Sequence, residues 1–147
     1  AALKAAGFTG AVFDKDNTLT APYSSRLTPA GAAAVAGAAA AWGPAGVALL
    51  SNSAGLAQYD PDGDEAAALE DALGVPVIRH ATKKPGGSAD ALAAHFRIPP
   101  ASVHTLVMVG DRYLTDVVYG NRLGLLTVRP DPITATGEPR AVRLVSF

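Results

Sequence analysis

The 147-residue chain has no cysteine, which excludes disulfide staples, thiolate nucleophiles and cysteine-bound metals while leaving the redox compartment open. It has no apolar run long enough to span a bilayer. Charge is sparse, with 17% charged residues and a formal net charge of -1, so no broad basic field is available and no nucleic-acid partner is expected. The three histidines, His80, His95 and His104, stand far apart, and none has a second histidine or an acid at metal-ligand spacing. His80, beside a lysine loop, is a candidate for touching a substrate, whereas His95 and His104 read as structural. There is also no internal repeat and no low-complexity linker, only a bias towards alanine that raises the hydrophobic share to 49% without marking membrane contact. The length therefore suits one domain, residues 1–147, with one site. The chain opens at Ala1 rather than methionine, which leaves room for an upstream targeting or tethering segment; no signal or transit peptide is read in the residues present.

What is present alternates between strand and helix. Thr9 to Asp14 reads as a first buried strand, and Thr28-Pro29 caps and opens an alanine-rich helix to about Trp42. Val47 to Leu50 is a second strand, stopped by Ser51-Asn52-Ser53. A helix from Asp64 to Leu73 and a short strand from Val75 to Arg79 follow, then a loop with Lys83, Lys84 and Pro85, and a helix from Ser88 to Phe96. Thr105 to Val109 is continuously apolar, as a central strand covered on both faces should be, and ends in Gly110-Asp111. A helix from Leu114 to Leu123, a fifth strand from Leu125 to Val128 and an irregular tail with a last helical turn near Arg140 to Val145 complete the reading. The expected fold class is α/β, a doubly wound, Rossmann-like sheet of five parallel strands.

Four polar clusters fall at the carboxyl ends of strands: Asp14/Asp16, Ser51/Asn52, Lys83/Lys84 and Asp111/Asp116. Open parallel sheets bind ligands at that edge, so the clusters are expected to converge. Several carboxylates in one place repel one another unless a hard divalent cation lies among them, and oxygen-only ligands suit Mg2+. A lysine joining them points to an anionic substrate such as a phosphate. By contrast, Asp60-Pro61-Asp62-Gly63-Asp64 has its glycine in the wrong place for a calcium loop and reads as a solvated acidic loop capping the next helix. Trp42 reads as core, and Arg122 as a cationic residue closing its helix.

The order and spacing of Asp14-x-Asp16-x-Thr18, Ser51, Lys84-Pro85 and Gly110-Asp111-Arg112-Tyr113-Leu114-Thr115-Asp116 resemble the haloacid dehalogenase superfamily of phosphatases. The resemblance implies that Asp14 is the nucleophile that takes the phosphoryl group and that Asp16 protonates the leaving oxygen and then activates water. It implies a magnesium ion held by the Asp14 and Asp111 carboxylates and the Asp16 backbone carbonyl. It further implies Ser51 and Lys84 on the phosphoryl oxygens, with Asp116 supporting the metal or orienting Lys84; Lys83 is the competing lysine.

The longer strings Phe13 to Tyr23, Ser51 to Gly55, Lys83 to Gly86 and Val109 to Asp116 are similar to the mitochondrial-type phosphatidylglycerophosphate phosphatases of fungi and plants. That similarity implies removal of the terminal phosphate from a phospholipid head group, with Asn52, Lys15, Arg112 and Arg79 as further candidate contacts. It implies action at a membrane surface, peripheral to the mitochondrial inner membrane on the matrix side, or in a plastid. Superfamily cap domains are inserted after the first motif or between the second and third. Here the first gap has room for one helix and the second for one βα unit, so a capless, open site is expected. Two alternatives stay open: a capless phosphatase acting on a soluble or protein-borne phosphate, and a phosphate-binding switch similar to a response-regulator receiver. The receiver places its phosphoacceptor after the third strand, whereas the acids here follow the first.

Overall fold

The computed structural model describes residues 1–133; the helical turn expected near Arg140 to Val145 lies outside the described residues. A short helix α1 (Ala2–Ala5), not anticipated from the sequence, precedes strand β1 (Gly10–Phe13). Helix α2 (Pro29–Trp42), strand β2 (Val47–Leu49), helix α3 (Asp64–Leu73), helix α4 (Asp90–Phe96), strand β3 (Leu106–Val109), helix α5 (Val118–Leu123) and strand β4 (Leu126–Val128) follow. The strands form one parallel sheet in the order β2-β1-β3-β4. The first strand is thus central, and the strand order reverses on either side of it. The crevice at that switch point, between the carboxyl ends of β1 and β3, is where such sheets bind ligands.

Alternation along the strands sends side chains to two cores. Ala11, Phe13, Val47 and Leu49 pack with Ala38 of α2 and with Ala66, Leu69 and Leu73 of α3. Val12, Ala48, Leu106 and Met108 pack on the other face with Leu92 and Ala93 of α4 and Tyr119 of α5. Helices on both faces explain why β1 is buried at every position.

Of the five expected strands, the third, Val75 to Arg79, is not formed as such. Residues 75–79 make a single parallel bridge, Leu49 to Val77, through Leu49 N–H to Pro76 O (2.8 Å) and Ile78 N–H to Leu49 O (2.9 Å). Pro76 has no N–H with which to extend the ladder one step earlier. One step later the chain has turned away, His80 N–H donating to Gly55 O at 2.8 Å. The helix expected from Leu114 is also modified, since Tyr113–Val117 forms a π-helical turn before α5 begins.

α2 opens as its sequence predicts, with Thr28 Oγ1 accepting from Gly31 N at 3.0 Å and Pro29 in the first turn. Its two glycines have opposite surroundings. A Cβ at Gly31 would run into the Leu19 backbone, whereas a Cβ at Gly37 would meet nothing within 4 Å. Gly31→Ala should therefore cost about 1–3 kcal/mol through overpacking, and Gly37→Ala should stabilise by about 0.5–1 kcal/mol through helix propensity. Urea unfolding of the two variants checks the pair; equal shifts would contradict the packing described.

Candidate active site

Because β1 is hydrogen-bonded on both sides, the position of the residue after it is fixed. Asp14 N–H still donates to Val109 O at 2.8 Å, which anchors the Asp14 backbone beside the end of β3. The chain then folds back on itself: Lys15 O accepts from Thr18, Leu19 and Thr20 N–H, and Asn17, wholly buried, adopts a left-handed φ of 60°. This turn aims Thr18 across the switch point. Thr18 Oγ1 donates to Asp111 Oδ1 (3.3 Å) and lies 3.2 Å from Asp111 N, so the loops after β1 and β3 are tied together.

Lys84 enters from a third direction. Its Nζ lies 2.6 Å from Asp116 Oδ1 and 3.0 Å from Asp14 Oδ1, and the side chain is 2% exposed. Lys83 is exposed at the cleft wall, so of the two lysines it is Lys84 that meets the carboxylates. Asn52 clamps the Lys84 backbone in both directions, Lys84 N–H to Oδ1 at 2.8 Å and Nδ2 to Lys84 O at 3.1 Å. Arg122 donates to the Pro85 and Gly87 carbonyls and braces the same loop.

Asp116 completes the cluster. Its other oxygen accepts from Arg112 N at 3.1 Å, and the π-helical turn packs its side chain against Gly110. A Cβ at Gly110 would collide with the Asp116 side chain, which gives a steric reason for glycine in Gly110-Asp111. Asp14, Asp111 and Asp116 are all buried and bring carboxylate oxygens within 4.8 Å of one another. Asp111 Oδ2 is buried without a hydrogen-bond partner. An orphaned carboxylate oxygen in an all-oxygen cluster fits a hard divalent cation.

These groups open into a cleft of ≈ 570 Å³ whose walls include Asp14, Lys15, Asp16, Ser51, Asn52, Lys84 and Arg112. Seven expected site residues therefore share one cleft, and Asp111 and Asp116 adjoin it through Thr18 and Lys84. A family model for mitochondrial PGP phosphatase matches residues 1–134. The chain belongs to that family. It is 59% identical over 141 residues to phosphatidylglycerophosphate phosphatase 1, chloroplastic, of Chlamydomonas reinhardtii, covering 96% of this chain and 51% of that protein. It is 48% identical over 143 residues to the chloroplastic/mitochondrial phosphatidylglycerophosphate phosphatase 1 of Arabidopsis thaliana, covering 97% and 40%. It is 32% identical over 114 residues to the mitochondrial phosphatidylglycerophosphatase GEP4 of Saccharomyces cerevisiae, covering 77% and 61%. The chain spans about half the length of the curated relatives it matches.

Within this family member several side chains have partners that the sequence did not reveal. The Asp16 carboxylate stands outside the three-carboxylate cluster, its Oδ1 taking Lys15 Nζ at 2.7 Å and Tyr23 N–H at 3.0 Å. Lys15, expected on a head group, is thus paired with its neighbour. Asn52 holds the lysine backbone and keeps one N–H and one lone pair for anything else. Ser51 Oγ lies 3.0 Å from Ser53 Oγ. Arg79 pairs with Glu70 at 2.6 Å and does not line the cleft. His80 lies between the Ser51 and Thr82 carbonyls, at 2.7 and 2.9 Å, and braces the two loops. Asp60 does cap α3, accepting from Glu65 and Ala66 N–H and from Gly55 N–H, but it is buried, not solvated. Burial would raise its carboxyl; the three N–H donors outweigh that and lower it. Thr18 and Gly110 stood in the sequence only as motif positions, and Arg122 as a cation closing its helix; its hold on the lysine loop was not legible because its partners are 35 and 37 residues away.

Three carboxylates face one ammonium. Burial, then the neighbouring Asp116 and Asp111 charges, push the Asp14 carboxyl up to about 7 against the pull of Lys84. Burial and Asp116 likewise push Asp111 up to about 6. For Lys84, burial alone would lower the pKa, but Asp116 and Asp14 outweigh it and raise it, so the ammonium persists across any ordinary pH. A carboxyl raised on folding destabilises the fold as pH climbs, because the unfolded Asp14 ionises at lower pH than the folded one. Without divalent cation, the melting temperature should fall from about pH 5 to about pH 8; magnesium should restore it at the higher pH and do less at the lower, where protons compete for Asp14 and Asp111. Calorimetry at both pH values checks this, and indifference to magnesium at about pH 8 would count against a cation at the cluster.

Proposed function

We propose that this chain is a magnesium-dependent phosphomonoesterase that removes the terminal phosphate of phosphatidylglycerophosphate, giving phosphatidylglycerol, by the chemistry of the haloacid dehalogenase superfamily. The reading is carried by one observation: the Asp14 carboxylate at the end of the central strand, held 3.0 Å from a buried ammonium that Asp116 also grips. The relatives' names supply the substrate, and their targeting to chloroplast or mitochondrion supplies the proposed location at a mitochondrial or plastid membrane.

In the first step, an Asp14 carboxylate oxygen attacks phosphorus and the bond from phosphorus to the glycerol oxygen breaks. Asp16, as the carboxylic acid, gives its proton to that oxygen, so the lipid leaves with a hydroxyl in place of an alkoxide. In the second step, Asp16, now a carboxylate, takes a proton from water as the water oxygen attacks the aspartyl-phosphate. The bond between Asp14 and phosphorus breaks, orthophosphate leaves, and both aspartates return to their starting forms. Lys84 and Ser51 bind the phosphoryl oxygens, and Asp116 keeps Lys84 aimed. The oxygens of Asp14 and Asp111 and the Asp16 carbonyl would hold magnesium, which supplies charge neutralisation at the transferring phosphoryl group.

We read the domain as single and capless, with the site open to a substrate presented at a surface. Support comes from the order of elements: α2 fills the gap between the first and second motifs, and α3 with the bridge at Val77 fills the next. Phosphate release from phosphatidylglycerophosphate in mixed micelles, beside a soluble aryl phosphate, tests the reading. The expected result is a strong, magnesium-dependent preference for the lipid, lost to background in Asp14→Asn and reduced by about 10²–10⁴-fold in Asp16→Asn. Activity confined to the soluble ester would overturn the lipid substrate. A stable phosphoprotein without turnover would overturn the hydrolase.

A further inference from the structure

The two loops that carry the carboxylates also carry apolar side chains that the cores do not bury. After Thr20 the chain runs Ala21-Pro22-Tyr23, and Tyr23 adopts a left-handed φ of 60°, a strained conformation for an aromatic residue. The conformation has two visible results. The Tyr23 N–H reaches the Asp16 carboxylate at 3.0 Å, and the ring, beside the cleft, is 78% exposed. On the loop after β3, Arg112 and Thr115 line the cleft, while Tyr113 and Leu114 between them are 50% and 49% exposed at the π-helical turn. Single exposed apolar residues are ordinary. Three on the two loops that frame one cleft, one of them held by backbone strain, form a patterned feature.

Charge indicates what would cover them. Lys83 is exposed at the cleft wall and Arg112 is half-buried in it. Tyrosine rings and leucine beside cations match the boundary of an anionic bilayer, where rings settle at head-group level and cations meet phosphate. No helix among the described residues is long and apolar enough to cross a membrane, so these loop side chains would make a peripheral contact. We infer that Tyr23, Tyr113 and Leu114 form a lip that seats the open cleft on the surface of an anionic phospholipid bilayer, with Lys83 and Arg112 facing its head groups. The inference rests on the phospholipid reading above and adds the surface by which the chain meets its substrate's membrane. Through its amide, a seated Tyr23 would also fix the Asp16 carboxylate.

The test uses the whole chain with phosphatidylglycerol-containing vesicles and with pure phosphatidylcholine vesicles. Sedimentation should show binding to the anionic vesicles above the neutral ones. Tyr113→Ser with Leu114→Ser, and separately Tyr23→Ser, should each weaken binding about tenfold. The Tyr113/Leu114 double variant should keep its turnover of a soluble aryl phosphate. Leu114→Trp gives a readout that needs no loss of function, since brominated acyl chains should quench its fluorescence. A wild type that stays in the supernatant, lip variants that bind as the wild type does, or an unquenched Leu114→Trp would each overturn the inference. So would a lip whose substitution abolishes self-association in solution and leaves vesicle binding unchanged. The two readings fail separately: lip-dependent binding without hydrolysis of phosphatidylglycerophosphate sinks the substrate, and hydrolysis with lip-independent binding sinks the lip.

Discussion

Everything at the carboxyl edge of this sheet answers to one imbalance, three buried carboxylates against one buried ammonium. Desolvation penalises each charge, and the carboxylates repel one another, so the cluster persists only because the surrounding fold holds it. Lys84 compensates one charge directly. The upward shifts of Asp14 and Asp111 come first from burial and then from the neighbouring carboxylates, and a divalent cation among oxygen donors is the chemistry that would offset both. A cluster arranged this way favours whatever brings positive charge to it, which is what a phosphoryl-transfer site requires.

The scaffold's local features make sense as devices for keeping that cluster in place. Central β1 fixes Asp14 by hydrogen bonds on both sides. Thr18 ties the first loop to Asp111, Asn52 and Arg122 hold the Lys84 loop, and the close packing of Asp116 on Gly110 stops the last carboxylate from swinging away. The arrangement joins residues more than ninety positions apart in sequence, so rigidity of the sheet is converted into precision of the site. The left-handed turns at Asn17 and Tyr23 are the strained points of this scheme. Both fall in the loop that carries Asp16, where strain is expected to have a use.

The sequence conveyed most of what depends on short-range pattern. Unbroken apolar runs ending in polar residues marked β1, β2 and β3, Thr28-Pro29 marked the start of α2, and Asp64 to Leu73 matches α3 from end to end. Readings failed where a distant partner decides the outcome. Residues 75–79 have strand composition, but Pro76 withholds a donor and the neighbouring loop draws the chain off after Ile78. Asp60 looked solvated because its sequence neighbours are acidic, yet it is buried by three backbone donors, two of them from the first turn of α3. Asn52 and Lys15 line the cleft as their polarity suggested, and the fold also gives them Lys84 and Asp16 as partners, which no local pattern shows.

What the sequence determined by itself was the inventory and its order: acids after the first and third strands of the sheet, a serine after the second, a lysine before a proline, and a family to which that order belongs. Such information survives in one dimension because a strand's end is a local property and the doubly wound topology brings those ends to one edge whatever lies between. Only the tertiary structure decided which of two adjacent lysines is buried, that Asp116 pairs with it while Asp16 pairs with Lys15, and that a threonine and a glycine hold the carboxylates. Those outcomes depend on distances between residues tens of positions apart, and on the energetic rule that a buried charge must find its counter-charge, which can be applied only once the neighbours in space are known.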